Sequence, residues 1–224
     1  LDNGSAYRCF LTRDELDRAR EKAQAKGGDF RAPKTYRDIP LQEQKRLLNA
    51  GQSFTVRLKI SPGKTLFNDH IYGDISVNNE EIDDFIIARS DGTPTYNFTV
   101  VVDDYTMGIS HVIRGEDHIS NTPKQLLIYE ALGYPAPEFA HLPMILGPDK
   151  KRLSKRHGAA GIQEFRDTGY SADALLNYLV MLGWNPGTEQ ELFTREEMVA
   201  HFDIRKVQKK GAVYDEKKLH WIAG

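Results

Sequence analysis

The strongest constraint on the fold lies in the stretch from residue 85 to 146, where the short apolar runs FIIAR, HVIR and HLPMI are spaced by longer segments and turn signals. Apolar runs of this length read as strands buried on both faces, as in a parallel sheet. TPKQLLIYEALG reads as a helix with Pro123 at its first position and Gly133 at its end. The pattern is α/β. TYNFTVVV can be read two ways, because its β-branched residues favour a strand while its length also suits a helix.

The flanking segments have a different texture. Thr12 with Glu15 forms a capping box opening TRDELDRAREKAQAKGG, and Gly27 and Gly28 close it, which predicts a charged helix of about four turns. Pro40 stands at the first position of a second helix, LQEQKRLLNAG. FTVRLKI alternates with Phe54, Val56, Leu58 and Ile60 inward, as a half-buried strand would, and Ser61-Pro62-Gly63-Lys64 reads as a hairpin turn into LFNDHIYGDISV. Residues 1–84 therefore read as an α+β insertion. Beyond Gly158 the signals are helical: IQEFRDTG, SADALLNYLVMLGW capped by Ser171, TREEMVAHF with the capping pair Thr194 and Glu197, and DEKKLHWIAG.

Charge and composition narrow the function classes. Thirty Lys and Arg against 32 Asp and Glu leave no global basic field, so any anion site must be local. The single cysteine, Cys9, excludes an internal disulfide and a multi-thiolate zinc site, and fits a reducing compartment, with cytoplasm the expected location. No apolar run is long enough to span a membrane, and no membrane partner is expected. The start at Leu1 reads as the continuation of a longer polypeptide.

Local charge is concentrated in GPDKKRLSKRHGA, residues 147–159, with five Lys or Arg in a Gly- and Pro-marked segment. Such cations are usually just solvated. This segment, however, follows HLPMIL and so leaves the end of a sheet where α/β folds bind ligands, and Gly147 and Gly158 could act as hinges of a flap closing over phosphates. RGEDH, residues 114–118, also follows an apolar strand. Arg114 offers a fork that fits a carboxylate, and Glu116, Asp117 and His118 can accept from sugar hydroxyls or stack on a base; the plainer alternative is a strand-end salt bridge. Tyr96 alone is an ordinary core aromatic. The GKT at Gly63 to Thr65 is no phosphate loop, since Leu58 occupies the place of the required first glycine. The seven histidines are scattered with no pair at i, i+4, and read mostly as packing or surface residues.

Taken in order, PTYNFTVVVDD, HVIRGEDHISNTPKQLLIYEALG, HLPMILGPDKKRLSKRHGA, GYSADALLNYLVMLGW, FTREEMVAHF and YDEKKLHWIAG resemble the bacterial glutamyl-tRNA synthetases, members of class I of the aminoacyl-tRNA synthetases. The likeness weakens but persists back to AYRCFLTRDEL, so it covers nearly the whole chain. It implies the second half of a Rossmann-type catalytic domain at 85–146, an acceptor-stem-binding α+β insertion at 1–84, and a signature loop with a helical stem-contact domain at 147–224. It also implies that PTYNFTVVV is helical.

The resemblance further implies a glutamate–tRNA ligase that uses ATP with Mg²⁺, acts on tRNA-Glu and works as a monomer. RLSKR resembles the KMSKS signature loop, so Arg152, Ser154 and Lys155 would be catalytic. Asp117, His118, Ile145, Arg152, Leu153, Ser154, Lys155 and Arg156 would bind ATP, while Tyr96, Asn97, Phe98, Thr99, Val100 and Arg114 would bind glutamate. Three departures qualify it. Arg152 stands where the first lysine is usual, which alters donor geometry. The family's His-Ile-Gly-His type element is nowhere in these residues, so the chain by itself is not expected to be competent. Leu11 stands where zinc-binding relatives carry their second cysteine, so no zinc is expected. A non-catalytic tRNA-binding module, with the basic loop merely touching phosphate, is the competing reading.

Overall fold

A computed structural model of the chain describes residues 1–28, 30–154 and 161–224. The elements run β1 (Ala6–Cys9), α1 (Arg13–Ala25), α2 (Leu41–Asn49), β2 (Thr55–Leu58), β3 (Lys64–Asp69), β4 (Gly73–Asn78), β5 (Ile86–Ala88), α3 (Tyr96–Thr106), β6 (His111–Gly115), α4 (Thr122–Leu132), β7 (Glu138–Leu142), β8 (Ile145–Leu146), α5 (Ile162–Asp167), α6 (Ala172–Met181), α7 (Arg195–His201), β9 (Ala212–Val213) and α8 (Glu216–Ala223). Among the described residues, no helix is long and apolar enough to cross a membrane.

The helix signals act as the local chemistry requires. Thr12 and Glu15 close their capping box on α1, and Thr194 and Glu197 do the same on α7, each pair satisfying N–H groups the first helical turn leaves open. Ser171 caps α6 through the Ala174 N–H, and Asp215 caps α8 through those of Lys217 and Lys218. Gly133 ends α4 at φ 68°, a left-handed conformation that costs glycine no steric penalty. TYNFTVVV is helical in α3, where packing on α4 and β5 overrides β-propensity.

The chain divides into two compact units. The first comprises Leu1–Phe67, Ser76–Ile109 and Ser120–Pro137. Its sheet has the order β1-β2-β5, with β2 antiparallel to both neighbours. Its core gathers Leu58, Ile60, Ile82, Ile87, Val101, Leu127 and Ile128. Arg57, which the alternation placed outward, is buried instead and its guanidinium donates to the Asp84 carbonyl. Thr55 and Lys59 on the same face stay part-exposed, so Arg57 is the departure from the half-buried strand expected from sequence.

The second unit comprises Asn68–Ile75, Ser110–Ile119 and Glu138–Gly224. Here β6 and β7 run parallel in register from His111 opposite Glu138 to Gly115 opposite Leu142, and the end of β3 joins β7 in parallel at Asp69 opposite Phe139. The sheet order is β4-β3-β7-β6, so β2 and β3 enter different sheets and the turn at 61–64 does not close a hairpin between them. HLPMI is likewise not one strand. Proline cannot donate to a ladder, and β7 stops at Leu142 before Pro143; β8 then resumes at Ile145 against β9. One apolar cluster unites Ile71, Ala140, Trp184 and Val207, and another unites Leu175, Tyr178 and Leu219 beneath α6 and α8.

Candidate active site

The second unit builds its site from the carboxyl end of β6. Cross-strand register sets Arg114 opposite His141, and Arg114 Nε donates to His141 Nε2 at 3.2 Å. That bond needs a lone pair on Nε2, which assigns the ring proton to Nδ1; this nitrogen lies 2.6 Å from Asp69 Oδ2. Asp69 Oδ1 accepts in addition from the backbone N–H groups of Ile71, Tyr72 and His141, at 3.0, 2.9 and 3.3 Å. The Asp69 and His141 side chains are fully buried.

Burial alone would push the Asp69 carboxyl upward. The N–H of Tyr72, the His141 ring and the remaining backbone donors outweigh it and hold the group below its ordinary 3.8. For His141, burial lowers the pKa below 6.5 against the opposing pull of Asp69, which keeps the imidazole neutral. The guanidinium thus donates to a neutral ring, and the ring donates to a charged carboxylate, in one hydrogen-bonded chain. The Arg114 guanidinium also lies 5.8 Å from the Phe139 ring centroid, within cation–π reach.

Beyond Gly115 the chain enters a 3₁₀ turn, Glu116–Asn121. Both oxygens of the Glu116 carboxylate have protein partners: one accepts the Tyr72 hydroxyl and the other the Met144 N–H at 2.9 Å. Burial, and then that bond to Glu116, raise the Tyr72 phenol above its ordinary value. Asp117 and His118 follow on the same turn. A Cβ at Gly115 would lie 2.6 Å from Asp117 Oδ1, so glycine lets this carboxylate fold back toward the strand end.

The basic segment meets this turn. Leu146 bridges Arg152 in antiparallel fashion, Leu153 N–H donates to the Ile145 carbonyl at 2.8 Å, and Gly147 N–H to the Lys151 carbonyl at 2.7 Å. Lys150 turns the chain at φ 60°. Pinned in this way, Arg152 extends Nη1 to within 3.2 Å of Asp117 Oδ2. The structure therefore brings Arg114, Asp117, His118, Ile145, Arg152, Leu153 and Ser154 into one unit, whereas Lys155 and Arg156 lie outside the described residues.

The first unit holds the other expected residues, Tyr96, Asn97, Phe98, Thr99 and Val100, in the opening turns of α3. Consecutive helical side chains point in different directions. Tyr96 is 52% exposed, Asn97 accepts from the buried Gln125 at 3.1 Å, and Phe98 packs against the core.

A scan of family models matches residues 1–221 to "tRNA synthetases class I (E and Q), catalytic domain". The chain belongs to this family. It is 50% identical to a glutamate–tRNA ligase of Aquifex aeolicus and 52% identical to one of Geobacter sulfurreducens, with 100% and 99% of the chain aligned to 48% and 46% of those proteins. It thus spans about half the length of the curated relatives it matches. Among solved structures, a glutamate tRNA ligase of Elizabethkingia meningosepticum, crystallised in complex with its amino acid, superposes with TM-score 0.86 at 36% identity over 97% of this chain and 49% of that one. A second, from Elizabethkingia anophelis, gives 0.85.

A class I catalytic domain with a parallel sheet accounts for the placement of Arg114, Asp117 and the basic segment at carboxyl ends of strands, where open α/β sheets bind ligands. His141, Asp69 and Tyr72 escaped sequence reasoning. The usable signal was a histidine inside the apolar strand FAHL, since a buried imidazole demands a partner. That partner lies 72 residues away.

Proposed function

We propose that this chain forms part of a glutamate–tRNA ligase that activates glutamate with ATP and transfers it to the 3′ end of tRNA-Glu. The observation carrying this reading is the Asp117–Arg152 ion pair. It joins two residues expected at the nucleotide, one from the turn after β6 and one from the basic segment, within a chain whose relatives are glutamate–tRNA ligases.

In the reaction a glutamate carboxylate oxygen attacks the α-phosphorus of ATP, forming the acyl–phosphate bond, and pyrophosphate leaves with the electrons of the broken P–O bond. Negative charge spreads over the non-bridging oxygens at the transition state. Cations held in fixed positions lower that barrier because they interact more strongly with the transition state than with bound ATP. Arg152 and Lys155 are assigned this role, with the Ser154 hydroxyl as a neutral hydrogen-bond donor beside them; Asp117, His118, Ile145, Leu153 and Arg156 are assigned the seating of ATP, and Mg²⁺ would enter on the nucleotide phosphates. Arg114 is assigned a glutamate carboxylate, with His141 and Asp69 as positioning residues behind it; Tyr96, Asn97, Phe98, Thr99 and Val100 of α3 are likewise assigned to glutamate. Residues 1–84 and 147–224 are assigned to the acceptor stem.

Glutamate-dependent ATP–pyrophosphate exchange in the full-length protein with tRNA present tests the proposal. Exchange that needs all three substrates is the expected result. Salt-sensitive tRNA binding that ignores ATP, with no exchange, would identify a binding module instead.

A further inference from the structure

At the opposite end of β6 and β7 from Arg114, three side chains from separate segments converge. His70 follows β3, His111 begins β6 and Glu138 begins β7. Among the described residues, these are the His, Cys, Asp or Glu side chains whose potential metal-ligand atoms form a group, all within 4.8 Å of one another. His70 Nε2 lies 2.5 Å and His111 Nε2 3.7 Å from the same Glu138 oxygen, Oε2. We propose that His70, His111 and Glu138 form a binding site for a divalent first-row metal ion, with Zn²⁺ the best match.

The backbone supports the cluster before any ion arrives. His70 N–H donates to the Phe139 carbonyl and Glu138 N–H to the Ser110 carbonyl, both at 2.9 Å, so three chain segments are already tied at this point. Register places His111 directly opposite Glu138. The two imidazole rings stack with centroids 6.0 Å apart at 21°.

His111 also has an outer hydrogen-bond partner. His111 Nδ1 lies 3.0 Å from Ser110 Oγ. A proton on Nδ1 donating to that hydroxyl leaves the Nε2 lone pair directed at Glu138, the arrangement in which an outer hydrogen bond orients a metal-ligating histidine. The side chains are 28%, 51% and 61% exposed for His70, His111 and Glu138, which gives an ion an entry path.

The donor set selects the ion. Two imidazoles and one carboxylate, with a fourth position open to water, suit zinc at bonds of about 2.0–2.2 Å, whereas Mg²⁺ and Ca²⁺ favour all-oxygen shells. Tetrahedral geometry at those lengths separates ligand atoms by roughly 3.3–3.5 Å. The 3.7 Å pair is near that value, and the 2.5 Å pair reaches it when the His70–Glu138 hydrogen bond opens around the ion. From His111 to Arg114 the strand advances about 10 Å, so bound metal would clip the β3–β4 connection to the starts of β6 and β7 away from Arg114, with His70 adjoining the positioning residue Asp69.

Titration of metal-free full-length protein with ZnCl₂ by calorimetry, with Co²⁺ absorption as a spectroscopic probe, tests the site. One equivalent should bind, tetrahedral Co²⁺ bands should appear, and the melting temperature should rise with zinc concentration. His111→Ala and Glu138→Ala should each weaken binding by at least the ~10-fold that loss of an outer-shell partner costs, and affinity should drop as acid protonates the imidazoles. His111 and Glu138 are exposed at strand starts, so both variants can be checked for a wild-type melting temperature without metal; if either is destabilised, the other carries the test. Absence of stoichiometric binding, or binding that both variants retain at wild-type affinity, overturns the proposal.

Discussion

Asp69 and His141 meet at 2.6 Å with both side chains fully buried, and the ring they share between them presents its other nitrogen to Arg114. One carboxylate thereby sets the proton position of an imidazole, and the imidazole sets the position of a guanidinium. Each group satisfies the next, which is the condition under which a buried polar network is tolerated.

The first prediction concerns stability. Asp69→Ala removes the acceptor of three backbone N–H groups and of the His141 ring. Each buried donor left without a partner costs about 1–3 kcal/mol. Allowing for relaxation, the expected destabilisation is at least about 3 kcal/mol by urea denaturation. A loss under about 1 kcal/mol would mean the network contributes nothing to the fold.

The second concerns pH. In the folded protein the His141 pKa lies below its ordinary 6.5. The unfolded chain therefore binds more protons in the interval just under that value, and stability rises with pH there. The contribution is complete above about pH 6.5 and is lost as pH falls through the lowered folded pKa; the depressed Asp69 extends the loss into more acid solution. Denaturation midpoints for the wild type and His141→Asn between pH 7.5 and 5 should converge toward the acid end. Parallel curves would contradict the lowered imidazole pKa.

Local signals specify the helices because capping chemistry is written within four residues, as at Thr12–Glu15 and Thr194–Glu197. Arg114, Asp117 and the basic segment stand out in the sequence for a similar reason, since a cationic or acidic cluster after an apolar strand is a short-range pattern; their roles at a site are proposals. What could not be read depends on distant pairing. Arg57 is buried with its guanidinium on the carbonyl of Asp84, 27 residues further along the chain. His141 looked like packing because Asp69 approaches it only when the end of β3 pairs with β7. Glu116 looked available until Tyr72 and Met144 took both oxygens.

The third prediction follows from the Arg114–His141 bond. Arg114→Lys keeps a positive charge but loses the Nε–H and the planar fork. A hydrogen bond to a charged group is worth about 1.5–3 kcal/mol, or roughly 10- to 100-fold. The KM for glutamate should rise by that factor while the KM for ATP changes little. Asp69→Asn should move the glutamate KM in the same direction by a smaller amount, because it weakens the ring's orientation without touching Arg114. An equal rise in both KM values in either variant would point to a general structural fault rather than a lost carboxylate contact.

The fourth prediction separates the cations of the basic segment. Arg152 is 70% exposed and already shares an ion pair with Asp117, so part of its charge is neutralised before substrate binds. Lys155, three residues on, is assigned to the developing charge on the α-phosphate. Losing one preorganised contact of that kind typically costs about 10²- to 10³-fold in rate. Lys155→Ala should therefore reduce glutamate-dependent ATP–pyrophosphate exchange by about that factor in kcat with ATP affinity nearly unchanged. Arg152→Ala should act more on the KM for ATP, because it also frees the Asp117 carboxylate to face the phosphates. Equal exchange rates in Lys155→Ala and wild type would remove Lys155 from the chemistry, and a kcat loss confined to Arg152→Ala would transfer its role to Arg152.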